Sequence, residues 1–193
     1  MTLIVQNGDW PPLLPQFATH IAQAAERAKA LCLDEPKFQM SIELNKLSTE
    51  DYCNTVVNYA KSWRAGSGQS TIYVFSYDAP VPQTLITTLR NAADESLKSI
   101  NASRAFSKCN AQEEGHCLYV GHSYKFDRRL RDHLGWGSAS TSSLHLKHWD
   151  GHPHDEITLT AYRLSKPDRL LAQLLEEYLW DELKPLLGKR GGK

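Results

Sequence analysis

The sequence predicts an α/β (α+β) protein in which a small three-stranded sheet is flanked by helices. Three runs rich in β-branched and aromatic residues predict the strands, and they lie at 70–77, 117–121 and 156–164. Between these runs, apolar residues recur at steps of three and four, which is the spacing of one helix face. The chain has 193 residues, 41% of them hydrophobic and 23% charged, so it is long enough for one soluble domain with a sizeable core.

Residues 1–68 are predicted to form a mostly helical N-terminal extension. Apolar residues recur with helical spacing over 16–31. The run 37–44 alternates with period two and predicts a short strand. Ser48-Thr-Glu-Asp51 is similar to a capping box and predicts a helix that ends at the glycine-rich stretch 65–68.

The main domain is predicted to begin at residue 69. After its first strand, Leu85, Leu89, Ala93 and Leu97 predict a helix, and a polar loop then leads to the second strand. Residues 79–116 are therefore interpreted as a helical insertion between these two strands.

Two further helices are predicted in the main domain, which we expect to end at residue 188. The first is short and basic, covers about 125–134, and is stopped by Gly135-Trp-Gly137. The second follows the third strand, opens at Ser165-Lys-Pro-Asp168, and should end before Pro185. The glycine-rich tail 189–193 is predicted to be disordered.

Charge and cysteine content restrict the cellular partners. Lys and Arg together number 22, as do Asp and Glu, so the net charge is zero and a nucleic-acid partner must bind a local basic patch. No run approaches the roughly 18 apolar residues of a membrane span, and no signal peptide is recognised, so we expect no membrane partner. The four cysteines form no CxxC pair, which favours free thiols and a cytoplasmic location.

Two strand tyrosines are the first candidates for chemistry. Tyr73 and Tyr119 each lie within an apolar strand, and pairing of those strands would bring both phenols to one place. A tyrosine beside a cation loses its proton more easily than its ordinary pKa of about 10 implies, and can then act as a base toward water. Strands favour tyrosine for packing alone, so the alternative of two structural tyrosines stays open.

The basic helix adds Arg129 and His133, which are four residues apart and therefore share a face. Arginine presents a planar fork that binds two phosphate oxygens and stabilises charge on a phosphodiester in the transition state. The alternative for an arginine on a basic helix is a solvated side chain.

The last predicted helix carries two adjacent acids on different faces. Glu176 has Leu179, Trp180 and Leu183 at the following helical steps, whereas Glu177 has Asp181 and Lys184. A carboxylate among apolar neighbours needs a partner, and a divalent ion such as Mg²⁺ accepts one or two carboxylates with water and phosphate oxygens. The alternative is an ion pair between Glu176 and an arginine that only holds the fold together.

Together these motifs resemble the GIY-YIG nuclease superfamily. The first motif is Thr71-Ile72-Tyr73, with threonine in place of the leading glycine, and the second is Tyr119-Val120-Gly121. The family's helical arginine stands ten residues after the second tyrosine, as Arg129 does. The segment 175–180 is similar to the family's Leu-Glu-x-x-Leu-Ile. The segment 184–188 is similar to its Lys-Pro-x-x-Asn ending.

Three features depart from the family pattern. Tyr73 and Tyr119 are 46 positions apart, whereas the family joins these strands by a short hairpin. Gly188 stands where the family has asparagine. The first 65 residues match no family motif, so the resemblance covers about 70–188.

The resemblance implies a mechanism and a set of site residues. Glu176 would bind one Mg²⁺ (or Mn²⁺), Tyr73 or Tyr119 would help to activate water, and Arg129 with His133 would hold the scissile phosphate. The loop Thr141-Ser-Ser-Leu144 would lie beside the DNA. Further contacts with the nucleic acid are expected from His122, Lys125, Arg128 and Lys147.

We therefore expect a metal-dependent endonuclease that hydrolyses DNA phosphodiester bonds, as in restriction, repair or defence. The alternative is a catalytically weak or inactive module of the same fold that binds nucleic acid or another partner, which the zero net charge, Gly188 and the long insertion favour. A third possibility is an unrelated α/β protein in which the matches are accidental. The sequence leaves the recognised DNA, the choice between DNA and RNA, and the oligomeric state open.

A histidine-rich segment follows the basic helix. His145, His148, His152 and His154 lie close together, but their spacing fits no strong zinc pattern and no cysteine pair accompanies them. We favour a polar loop, able to face DNA, over a metal site.

Overall fold

A computed structural model describes residues 10–29, 38–63, 70–164 and 169–191 of the chain. Five α-helices and four β-strands lie within these ranges. In chain order they are α1 (Trp10–Lys29), β1 (Phe38–Glu43), α2 (Glu50–Trp63), β2 (Thr71–Pro82), α3 (Gln83–Ser99), β3 (Glu114–Ser123), α4 (Phe126–Leu134), β4 (Glu156–Arg163) and α5 (Arg169–Leu183). The protein is thus α/β, as the sequence predicts.

The sheet has four antiparallel strands in the order β1-β4-β2-β3. The prediction of three strands is wrong because β1 pairs with β4, with Phe38 opposite Ala161 and Glu43 opposite Glu156. The alternation over 37–44 identifies a strand correctly, but a period-two pattern carries no information about a partner more than 100 residues away. The helix start predicted at residues 48–51 likewise coincides with the start of α2 at Glu50.

The chain divides into two compact units, residues 1–32 and 33–193. The first contains α1, which begins at Trp10, before the start predicted from the periodicity. The second contains the sheet and the other four helices, so β1 and α2 belong with the sheet and not with the predicted N-terminal extension. No described helix is long and apolar enough to cross a bilayer.

One face of the sheet carries the main apolar core, against which α2 and α4 pack. Phe126 begins α4 and is fully buried, with its ring next to those of Phe38, Trp63 and Tyr73. Gly135 ends α4 at φ +94°, and its N–H and that of Trp136 bond to the carbonyls of Asp132 and Arg131. This is a Schellman ending, in which glycine meets no Cβ penalty.

The insertion between β2 and β3 is helical, as predicted, but β2 continues to Pro82 before α3 begins. Beyond α3, the backbone of Ala105 and Ser107 pairs with that of Ala139 and Ser143. The insertion therefore fixes the loop that follows α4.

The histidine-rich segment is packed into the protein, so its interpretation as a polar loop is wrong. Leu144, Leu146 and Trp149 belong to the core, and His145 is fully buried. Burial of the apolar residues between the histidines stabilises the packed position of the segment. A prediction based on its polar residues does not take this burial into account.

Residues after α5 are held on the protein. The N–H groups of Leu186 and Leu187 bond to the carbonyls of Cys117 and Leu118 on β3, and both leucines are buried. In the tail that we predicted to be disordered, Arg190 donates two hydrogen bonds to Asp181, while residues 192–193 lie outside the described ranges.

Replacement of Phe126 by alanine should remove the contact that seats α4 on the sheet. We expect Phe126→Ala to lower the free energy of unfolding by about 3–5 kcal/mol, the usual cost of emptying a buried aromatic site. Ile100→Ala is the control, because Ile100 is 70% exposed and its loss should change stability by at most about 0.5 kcal/mol. Urea denaturation followed by circular dichroism measures both, and equal stabilities would contradict this account of α4.

Candidate active site at the ends of β2 and β3

The two tyrosines meet across β2 and β3 because a glycine makes room for them. Tyr73 lies opposite Gly121, and the rings of Tyr73 and Tyr119 stack with centroids 6.2 Å apart and planes 18° apart. A Cβ at Gly121 would lie 2.7 Å from the Tyr73 hydroxyl oxygen and 2.7 Å from the Tyr119 ring. Only glycine therefore fits at this point of the strand pair.

Arg129 on α4 connects the two phenols. Its Nε donates to the Tyr73 hydroxyl oxygen at 3.3 Å, and its Nη2 donates to the Tyr119 hydroxyl oxygen at 3.1 Å. A third hydrogen bond, of 2.8 Å, runs from Nη2 to the carbonyl oxygen of Ser142. The edge of the guanidinium that carries Nε and Nη2 thus faces the hydroxyls of both tyrosines, and the loop after α4 holds it there.

Arg129 has no carboxylate partner among the described residues. Burial acts to lower the pKa of Arg129, but the two phenols outweigh it and the pKa is raised, so the side chain is a cation. Its Nη1 forms no hydrogen bond within the described part of the chain. A partly buried cation without an internal anion is costly, and an external anion relieves the cost.

His133 supports Tyr73 and does not face solvent. It is 0% exposed, its Nε2 lies 3.1 Å from the Tyr73 hydroxyl oxygen, and its Nδ1 accepts the backbone N–H of Leu144 at 3.3 Å. The proton of the neutral ring is therefore on Nε2. Burial and then the charge of Arg129 hold the pKa of His133 well below its ordinary value, so the ring is neutral. A direct contact between His133 and a phosphate, as the sequence suggested, is incompatible with this burial.

The two tyrosines differ in their access to water. Tyr73 is 1% exposed, and burial raises its pKa more than Arg129 lowers it, so its hydroxyl stays protonated. Tyr119 is partly exposed and reaches the surface beside Arg129. Of the pair, Tyr119 is the one that solvent can reach.

Glu176 points from α5 to β3. Its Oε2 lies 2.5 Å from Nδ1 of His122, and the side chains of Glu176 and His122 are 14% and 23% exposed. Glu177 faces elsewhere, since it accepts a hydrogen bond from Gln173 and lies 3.9 Å from Arg190. The two acids therefore occupy different faces of α5, as helical spacing predicts.

The phenol cluster and the His122–Glu176 pair lie on opposite faces of β3, because successive side chains of a strand alternate. β3 is an edge strand, and no other described strand pairs with its outer side from Tyr119 to Ser123. At this free edge only the backbone of β3 separates the two faces. A ligand lying along this free edge can contact both groups.

The remaining predicted contacts divide into two groups. Lys125 and Arg128 are exposed beside the cluster, at the start of α4. Lys147 is engaged elsewhere, with its ammonium 3.3 Å from the centroid of the Trp136 ring, and burial lowers its pKa. His122 bonds to Glu176, where the sequence had suggested a contact with the nucleic-acid backbone.

The local backbone explains why glycine occupies position 188. Its φ is +118°, and a Cβ there would lie 3.2 Å from the Tyr119 ring. The N–H of Gly188 bonds to the carbonyl of Lys108 at 2.8 Å. This backbone favours glycine over the asparagine expected from the family pattern.

Two kinds of contact in the site could not be predicted from the sequence: those made by backbone groups and one between distant side chains. The Ser142 carbonyl and the Leu144 N–H are backbone groups of the loop after α4, and any residue type supplies them. The His122–Glu176 hydrogen bond joins residues 54 positions apart, and only the fold brings them together.

Across the described residues, no group of three or more His, Cys, Asp or Glu side chains is arranged to hold a metal ion. Comparison of the chain with protein-family models, curated proteins and solved structures finds no match.

Gly121→Ala should disturb the tyrosine pair. Because the added methyl group overlaps both phenols, we expect a loss of about 1–3 kcal/mol in the free energy of unfolding. Gly115→Ala lies on the same strand, where the nearest atom to a new Cβ is 3.6 Å away, and serves as the control. Chemical denaturation distinguishes them, and an equally stable Gly121→Ala would show that the phenols are not tightly packed.

Stability should fall on mild acidification. Burial lowers the pKa of His133 well below 6.5 and those of His145, His148 and His152 to about 4. Below pH 6.5 these histidines are protonated in the unfolded chain but stay neutral in the folded protein. The free energy of unfolding therefore decreases as pH falls, by up to about 1.4 kcal/mol per pH unit for each histidine.

Urea denaturation at pH 7.5 and pH 5.5 tests this linkage. His133→Asn, which removes one of the four groups, should reduce the difference between the two pH values. A wild-type protein equally stable at both would contradict the buried, neutral state of these rings.

Proposed function

We propose that the protein is a metal-dependent endonuclease that hydrolyses DNA phosphodiester bonds, of the GIY-YIG kind that its motifs resemble. The observation that carries the proposal is the state of Arg129, a cation held by two phenols and a carbonyl, without a carboxylate partner among the described residues. Its unused Nη1 is suited to a phosphate oxygen.

Within this proposal, the cluster around Arg129 has an inner and an outer layer. Tyr73 and His133 are buried and neutral, and they fix the guanidinium. Arg129 and Tyr119 form the outer layer, where Arg129 binds the scissile phosphate and Tyr119 contacts the attacking water. The exposed Lys125 and Arg128 supply the local positive charge that the neutral chain needs.

Glu176 is the residue that would hold a divalent ion. Its Oε2 is bonded to His122, but no hydrogen bond from the described residues reaches its Oε1. One carboxylate oxygen with water and phosphate oxygens is a donor set that fits Mg²⁺ or Mn²⁺, even though no cluster of three protein ligands surrounds it. When bound, such an ion supplies Lewis-acid stabilisation of the leaving oxygen.

Plasmid cleavage tests this assignment. We expect the wild-type protein to nick or linearise supercoiled DNA in Mg²⁺ or Mn²⁺, and Arg129→Ala to cut about 10²–10³-fold more slowly because a preorganised cationic donor is lost. Glu176→Ala should lose cleavage but keep DNA binding, as measured by gel shift. Tyr119→Phe should slow cleavage more than Tyr73→Phe.

Two neighbouring residues provide matched controls. Glu177→Ala removes the acid on the other face of α5 and should cut within a few-fold of wild type. Arg128→Ala removes an exposed charge of the proposed DNA-binding surface, so it should weaken DNA binding but cut within a few-fold of wild type at saturating DNA. Loss of cleavage in Glu177→Ala with retention in Glu176→Ala would overturn the assignment of the acid. DNA binding without cleavage by the wild type would favour a binding module.

A further inference from the structure

The hydrogen bond between His122 and Glu176 orients the His122 ring toward a carboxylate, which a role in binding phosphate alone does not explain. The Nδ1–Oε2 distance of 2.5 Å is short, both side chains are mostly buried, and within the described part of the chain His122 alone bonds to this carboxylate. The ring of His122 is flanked by that of Tyr124, with centroids 6.3 Å apart at 86°. The pair joins an edge strand to the last helix.

The direction of this hydrogen bond follows from the chemistry of its partners. An ionised carboxylate only accepts, so the proton lies on Nδ1 of His122 and points to Oε2. Glutamate has several rotatable bonds, and a fixed donor reduces them to one orientation. The carboxylate then keeps the same oxygen, Oε1, without a hydrogen bond from the described residues.

Resting on the function proposed above, we infer that His122 is a positioning residue that holds Glu176 as a one-oxygen metal ligand and thereby sets the ion preference of the site. Mg²⁺ and Mn²⁺ accept single carboxylate oxygens in octahedral shells, whereas Ca²⁺ takes six to eight oxygens and often both oxygens of one carboxylate. With Oε2 occupied by His122, the site favours Mn²⁺ and Mg²⁺ over Ca²⁺.

The test measures ion binding and not cleavage. Titration calorimetry of the full chain with Mn²⁺ and with Ca²⁺ gives two dissociation constants and their ratio. In His122→Ala we expect Mn²⁺ to bind about 10–100-fold more weakly, the usual cost of losing such an outer partner. Ca²⁺ should lose less affinity, because both oxygens become free, so the ratio moves toward Ca²⁺.

Two variants keep the test decisive. His122→Asn places an amide N–H near the position of Nδ1 and should restore most of the Mn²⁺ affinity, which loss of folding in His122→Ala could not explain. Glu176→Gln should abolish binding, and circular dichroism at equal temperature verifies that all variants are folded.

Each outcome has a separate meaning. If Mn²⁺ does not bind the wild type, or binds Glu176→Gln equally well, the metal site of the proposed function fails and this inference fails with it. If binding depends on Glu176 but His122→Ala matches or exceeds the wild type in affinity and ion ratio, the metal site stands and the role of His122 is overturned.

Discussion

The geometry of the site depends on one partly buried cation, Arg129, that no described carboxylate neutralises. Arg129 is held by hydrogen bonds to two phenols and one carbonyl, and no described carboxylate reaches it. Neutral acceptors orient a guanidinium without cancelling its charge, so the positive field stays available to a ligand. The surrounding features follow from this requirement: stacked tyrosines, a neutral His133 behind them, and a loop after α4 that is pinned by the insertion.

The arrangement of β3 explains how distant groups come to act together. Because β3 is an edge strand, the side chains of its two faces are separated only by the thickness of one backbone at the free edge. Tyr119 and Gly121 serve one face, and His122 serves the other. Residues 186–187 cover the outer side of β3 at Cys117 and Leu118 and stop short of this end. In the proposed function, the phosphates of the substrate would lie where the pairing ends, with Arg129 on one flank and Glu176 on the other.

Much of this architecture is determined by short-range patterns and could therefore be predicted from the sequence. The strands, the basic helix, the faces of Glu176 and Glu177 and the helical insertion follow from periodicity and caps. The pairing of β1 with β4 was missed because pairing is a long-range property. Spacing correctly placed His133 on the helix face of Arg129, and the family resemblance then implied a contact with phosphate. The depth of a side chain on that face is set by packing, which buries His133. The backbone donors and acceptors around Arg129 carry no residue signature at all.

Burial determines which titratable groups of the site can change their protonation state. Desolvation keeps Tyr73 protonated and His133 neutral at physiological pH, so neither exchanges a proton with a substrate. Their burial keeps water away from the inner side of Arg129, where its hydrogen bonds are strengthened by the low local dielectric. Under the proposed function, proton transfer would then take place in the exposed layer, at Tyr119. A protein of zero net charge can thus have a local positive site, because the charge of Arg129 is held by neutral groups. Such a site needs no excess of basic residues over the whole surface.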